Sequence, residues 1–299
     1  MKIAFAGKGG AGKTSMAAWL ADHLARLGEN VWLVDADTAL SLGQASGLER
    51  ALLPTPLAER EDLVRGLIGQ GYMSLTPEVS HLPEELCVPL PLGGPPLANV
   101  APGRKRLLVM GTVGGAGGGC ACGANALLKA VLAHLILERK EWVLVDLEAG
   151  VEHLGRGTVA DVDALVVVSE PSLRGLGVAE EVSRLARGLG LARQALVLNR
   201  ANADAAPPAH LDLPERLLRV PVLDGLSQRQ LASGSVLGLP EDALLNALCA
   251  ELLRSLGHPQ LDDSQPGCPQ PDRRHSGQQP LSGSNAPSVA ETPDSRTVA

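Results

Sequence analysis

Aromatic side chains are scarce in this chain of 299 residues, which holds three Trp, one Tyr and one Phe. A core without them must rest on Leu, Val and Ala, within a hydrophobic share of 45% that suits a globular protein. Basic charge is in deficit too: 26 Lys and Arg stand against 33 Asp and Glu, a net charge of −7. That balance argues against general affinity for nucleic acid or anionic lipid, both of which need basic surface. No uninterrupted apolar run reaches the ~20 residues of a membrane span, and no apolar leader precedes the first strand. Cysteines number five, an odd count unlike a secreted disulfide framework. These absences predict a cytoplasmic protein with reduced thiols and with neither a nucleic-acid nor a membrane partner. There is no internal repeat.

Short runs rich in Val, Leu and Ile occupy residues 2–6, 31–35, 106–110, 142–146, 164–169 and 195–199. Between them, Ala17, Leu20, Leu24 and Leu27 recur at helical spacing, as do Leu127, Val131, Leu135 and Ile136. Buried strands alternating with helices predict an α/β fold, doubly wound, with a mostly parallel sheet and helices on both faces. We expect this domain to span residues 1–257, with an insertion at about 48–104 that carries Pro89, Pro91, Pro95 and Pro96. Loops and short helices are expected there. A last helix over about 241–256 places Leu244, Leu245, Leu248 and Leu252 on one side. Its Glu241, Asp242 and Glu251, against one Arg254, suit packing better than lipid. Residues 258–299 are dominated by Pro, Ser, Gln, Gly and Asp. They have too little apolar surface to offset their ordering entropy, so this tail is expected to be disordered.

Gly7-Lys8-Gly9-Gly10-Ala11-Gly12-Lys13-Thr14 matches the phosphate-binding pattern G-x-x-x-x-G-K-[ST] in full, between a strand and a helix. Glycines let backbone N–H groups turn in around phosphates, and the helix adds its positive end. Gly9, Gly10, Ala11, Gly12, Lys13, Thr14 and Ser15 are therefore the expected ATP-binding set. Lys13 should reach the β- and γ-phosphates and Thr14 should ligate Mg²⁺.

With Lys8, the loop resembles that of the deviant Walker A ATPases, the class that includes MinD, ParA, ArsA and the nitrogenase iron protein. The resemblance implies that Lys8 crosses a homodimer interface to the partner's nucleotide, where a cation supplied in trans neutralises charge during γ-phosphate cleavage. Val31–Asp37 is a strand ending in two acids. By resemblance to the class, Asp37 orients the attacking water and Asp35 lies near the Mg²⁺ shell. The class usually has proline next, where this chain has Thr38. Trp142–Asp146 is a second apolar strand, and Asp146 is the expected carboxylate for the metal's water shell. Asn199 and Arg200 resemble the pair that contacts adenine, for which a side-chain amide can both donate and accept.

Cys120 and Cys122 are separated by one residue, just ahead of the helical pattern at 124–139. A helix N-terminus favours the thiolate, the form that binds soft or borderline metals. One such pair offers two ligands and a closed site usually wants four, so two copies meeting across a two-fold axis would complete an S₄ set. The same spacing also fits two buried thiols at a glycine-rich turn. Cys249 reads as core, Cys268 as tail, and Cys87 stands alone. His153 fits a nucleotide sensor, a metal contact or a structural hydrogen bond, and Glu148 fits either the Mg²⁺ network or the turn after its strand.

The Cys-Ala-Cys, the Leu-rich helix and then Asp146-Leu147-Glu148-Ala149-Gly150-Val151-Glu152-His153 together resemble the CooC-type ATPases. These are accessory proteins for nickel insertion into carbon monoxide dehydrogenase. The similarity runs from residue 1 to roughly 225. It implies an ATP-hydrolysing homodimer that carries Ni(II), or Zn(II), on paired Cys120 and Cys122 and has carbon monoxide dehydrogenase as client. The rival readings are a positioning ATPase like MinD or ParA and an iron–sulfur carrier or reductase like the nitrogenase iron protein.

Overall fold

The structure is a computed structural model that describes residues 1–60, 62, 63, 66, 82–111, 141–148 and 162–258. Eight strands form one sheet: β1 (Lys2–Gly7), β2 (Val31–Ala36), β3 (Cys87–Leu90), β4 (Lys105–Val109), β5 (Trp142–Leu147), β6 (Ala164–Ser169), β7 (Gln194–Asn199) and β8 (Leu217–Val220). Their order is β3-β4-β2-β5-β1-β6-β7-β8, and every pair is parallel except β3 with β4. The helices described are α1 (Lys13–Arg26), α2 (Leu42–Ala45), α3 (Leu82–Leu86), α4 (Leu173–Gly188), α5 (Asp224–Arg229) and α6 (Asp242–Ser255).

Alternation along the strands divides the interior in two. Ile3, Phe5, Leu33, Leu144, Val166 and Val197 pack on the face covered by α1 and α6. Ala4, Ala6, Trp32, Val34, Val145, Val167 and Leu196 pack on the opposite face, against Leu176, Ala179 and Val182 of α4. The six inner strands are buried on both sides, which is why their runs read as continuously apolar. The few tryptophans are anchored at their polar ends: Trp19 Nε1 donates to Val236 O at 2.8 Å, Trp142 Nε1 to Glu29 Oε2 at 3.1 Å, and Trp32 Nε1 to the Glu141 carboxylate.

Helix α1 lies between the sheet and α6, so it is buried almost all round, polar residues included. Asp22 and Arg26 among them are paired, which offsets the cost of burying their charges. Asp22 Oδ1 accepts from Lys105 Nζ at 2.6 Å and from Gly93 N at 2.7 Å. The Arg26 guanidinium grips both oxygens of Asp242 on α6, at 2.7 and 2.9 Å. The helix that follows the glycine loop is thereby fixed to β4 and to α6.

Three findings differ from the sequence reading. Residues 87–90, inside the proline-rich stretch, form an antiparallel edge strand; Pro89 is tolerated there because an outer strand leaves N–H groups unpaired in any case. Strand β8 carries little apolar signal in the sequence, because its burial alternates and it includes Arg219. The apolar side of α6 is made by Leu245, Cys249, Leu252 and Leu253, whereas Leu244 faces solvent at 42% exposure. Among the described residues no helix is long and apolar enough to cross a membrane.

Candidate functional site

The loop after β1 is shaped by backbone conformations that side chains resist. Gly7 has φ 141°, and a Cβ there would lie 2.1 Å from Val168 O on β6. Gly12 has φ 104°, and a Cβ there would lie 2.3 Å from Asn199 Nδ2. Gly10 meets nothing within 4 Å, but its φ of 77° is in the left-handed region. Gly12 caps α1 without a side-chain bond and no acid occupies the first turn, so free N–H groups face the loop's hollow. Lys13 is 5% exposed at that helix start, whereas Lys8, Gly9 and Gly10 are exposed. Such a cradle fits a chain of phosphates.

Two carboxylates lie next to the loop. Asp35 and Asp146 are directly registered on β2 and β5, and Phe5 of β1 is registered with Asp146. Both acids follow Leu33 and Leu144 on the α1 face, and both are 0% exposed. Asp35 accepts from Leu42 N at 3.0 Å and from Asp37 N at 3.2 Å. Asp146 Oδ2 accepts from Thr14 Oγ1 at 2.6 Å, while its Oδ1 is buried with no partner. Burial pushes the Asp35 carboxyl up to about 6, opposed by its two backbone bonds. Burial pushes Asp146 up to about 7; the Thr14 bond and Lys13 oppose this, and Asp35 adds to it. A buried carboxylate oxygen without a donor, beside a threonine hydroxyl and a phosphate cradle, fits Mg²⁺ with its retained waters. Among the described residues no group of three or more His, Cys, Asp or Glu forms a further metal centre.

Asp37 opens the turn after β2, and its Oδ1 accepts from Ala39 N at 2.9 Å. Thr38 Oγ1 donates to Glu148 Oε1 at 3.0 Å, a link between the ends of β2 and β5 that the sequence did not reveal. Spacing alone could not have found it, since the pair is 110 residues apart.

On the other side of the loop, Asn199 Nδ2 donates to Ala11 O at 2.8 Å and its Oδ1 accepts from Arg200 N at 3.0 Å. The amide thus braces the glycine loop, a role the sequence had not suggested. Arg200 has φ 56° and reaches Glu170 Oε1 at 2.6 Å. A hollow between Gly12, Trp19, Asn199, Arg200, Val222 and Leu226 opens beside them, with walls that suit a nucleobase. The structure therefore gathers Lys8 to Ser15, Asp35, Asp37, Asp146, Asn199 and Arg200 at one end of the sheet. Cys120, Cys122, His153 and Cys268 lie outside the described residues. Cys249 is buried in the core and Cys87 is half-buried on β3; burial pushes both thiols up, away from the reactive thiolate.

The pattern of the CobQ/CobB/MinD/ParA nucleotide binding domain matches residues 2–237. Over 198 residues the chain is 40% identical to the carbon monoxide dehydrogenase accessory protein CooC of Rhodospirillum rubrum, covering 64% of this chain and 71% of that one. It is 36% identical over 206 residues to an ATP-binding protein of Methanocaldococcus jannaschii, covering 67% and 75% of the two chains. Among solved structures, the MinC:MinD cell division complex of Aquifex aeolicus superposes with a TM-score of 0.60 at 18% identity. That superposition covers 89% of this chain and 99% of the other, and it is a likeness of fold.

Proposed function

This chain belongs to the CobQ/CobB/MinD/ParA nucleotide-binding family as a CooC-type ATPase, and from that premise we propose that it is a nucleotide-switched nickel carrier serving carbon monoxide dehydrogenase. The observation that carries the proposal is the 40% identity to a carbon monoxide dehydrogenase accessory protein. The nucleotide site supports it, because among the described residues the glycine loop, Thr14, Asp35, Asp146 and Asn199 lie together at one end of the sheet.

Lys13 and the N–H groups of residues 9–15 hold the phosphates of ATP. Thr14 and Asp146 would hold Mg²⁺, with Asp35 behind them, and the ion would supply neutralisation of the phosphate charge. Asp37 orients the water that attacks the γ-phosphate, and Asn199 and Arg200 border the base. Lys8, exposed and without a side-chain hydrogen bond or ion pair among the described residues, is supplied to the nucleotide of the facing subunit. ATP binding closes a homodimer on this interface. Cys120 and Cys122 of both subunits then form the four-sulfur set that takes Ni(II), or Zn(II), as cargo. Hydrolysis reopens the dimer after delivery, since a ligand drives such a cycle only by favouring one arrangement over the other. This cycle runs in the cytoplasm.

The test is metal analysis of anaerobically purified protein. The Cys120→Ala/Cys122→Ala double variant should lose stoichiometric nickel and zinc while binding nucleotide normally. Unchanged metal content in that variant ends the proposal.

A further inference from the structure

Thr38 replaces the proline usual in the deviant Walker A class, and its hydroxyl is engaged. Ala36 and Leu147 are the last registered pair of β2 and β5, so Asp37 and Glu148 leave the sheet side by side. The Thr38 hydroxyl has one proton to donate. Glu148 Oε1 receives it at 3.0 Å, and Asp37 Oδ1 lies farther away at 3.5 Å. Asp37 Oδ1 is occupied by Ala39 N, whereas its Oδ2 takes no hydrogen bond from the described residues.

This turn does not hold its shape by local preference. Leu40 has φ 48°, a left-handed conformation that a branched side chain adopts only when its surroundings impose it. Asp35 secures both ends of the turn through Asp37 N and Leu42 N. The exposed tip is tied to the neighbouring strand end through Thr38 and Glu148. Next to it, the unpartnered Asp146 Oδ1 marks where the metal-bound nucleotide belongs.

We infer that Glu148 is a positioning residue for ATP hydrolysis: by accepting from Thr38 it fixes the turn that aims the open oxygen of Asp37 at the attacking water. The inference rests on Asp37 being the water-orienting group, and it is independent of which metal the protein carries.

The full-length chain is assayed for steady-state Mg-ATP hydrolysis, alongside the affinity for a fluorescent ATP analogue and the thermal midpoint. Thr38→Val and Glu148→Ala should each lower kcat about tenfold, the size expected for losing one hydrogen bond to a charged acceptor. KM and analogue affinity should stay within about twofold, since no ground-state contact is removed. The double variant should be no slower than Glu148→Ala alone, because Thr38→Val removes only a bond that Glu148→Ala already removes. Thr38→Ser and Glu148→Gln, which keep a donor and an acceptor, should retain most of the turnover. The inference is overturned by unchanged kcat in Thr38→Val, by losses that multiply in the double variant, or by affinity falling in step with kcat. It is equally overturned if Glu148→Gln is as slow as Glu148→Ala, because charge and not the bond would then matter. Asp37→Asn separates the two levels: if it hydrolyses ATP normally, the role of Asp37 fails first and the inference falls with it.

Discussion

Binding of Mg-nucleotide should release protons, in an amount set by the carboxyl at the end of β5. Asp146 is fully buried and pushed up to about 7, chiefly by desolvation. A group with that value is about 90% protonated at pH 6, about half at pH 7 and about 10% at pH 8. A carboxyl that serves a metal must be ionised, so each chain should shed roughly 0.9, 0.5 and 0.1 proton at those three pH values. Asp35, at about 6, adds its own smaller release at the acid end. The sign for stability follows from the direction of the shifts. Both values are raised above 3.8, so the two groups favour the nucleotide-free fold at low pH. That contribution is lost as pH rises through about 6 for Asp35 and about 7 for Asp146. The thermal midpoint of nucleotide-free protein should therefore fall between about pH 5 and pH 8, while stabilisation by Mg-ATP grows over the same range. Calorimetric titration with preformed Mg-ATP in two buffers of different ionisation enthalpy counts the protons. Asp146→Asn serves as the reference for the nucleotide's own protonation. Equal heats in the two buffers at pH 7, or the same release from Asp146→Asn, would refute the reasoning.

Other perturbations test separate parts of the account. Lys8→Ala should bind Mg-ATP normally but lose about 10³-fold in turnover, as expected when a cation acting in trans is removed; single-turnover hydrolysis measures it. Gly12→Ala puts a Cβ at φ 104° and 2.3 Å from Asn199 Nδ2, so it should displace the amide from Ala11 O. Its nucleotide affinity should fall at least ~10-fold by equilibrium binding, a loss read against an intact circular dichroism spectrum. Lys105→Ala leaves Asp22 buried beside an emptied, fully buried lysine site. It should lower unfolding free energy by about 3 kcal/mol in urea titration while leaving the nucleotide site working.

The strands that carry chemistry were readable because the fold buries them on both faces. Residues 3–6, 31–34 and 142–145 are apolar up to the glycine or acid that follows them, so Asp35 and Asp146 stand out in one dimension. Strands β3 and β8 lie at the two outer positions of the sheet, where a proline and alternating burial are permitted and the apolar signal fades. Four leucines close together do not say which side of α6 meets α1, so the sequence pattern includes Leu244, which faces solvent. The glycine loop was legible because backbone geometry restricts its residue types. The grip of Asn199 on Ala11 and of Thr38 on Glu148 was not, since each joins elements more than 100 residues apart through sheet register.

The most direct test is the mass of the intact assembly, measured by native mass spectrometry on anaerobic protein supplied with nickel and a non-hydrolysable Mg-ATP analogue. The account predicts a species of two chains, two nucleotides and one nickel ion, which falls apart into metal-free single chains when Cys120 and Cys122 are replaced and nucleotide is withdrawn. A protein that remains a single 31.0 kDa chain under every combination of metal and nucleotide would contradict it.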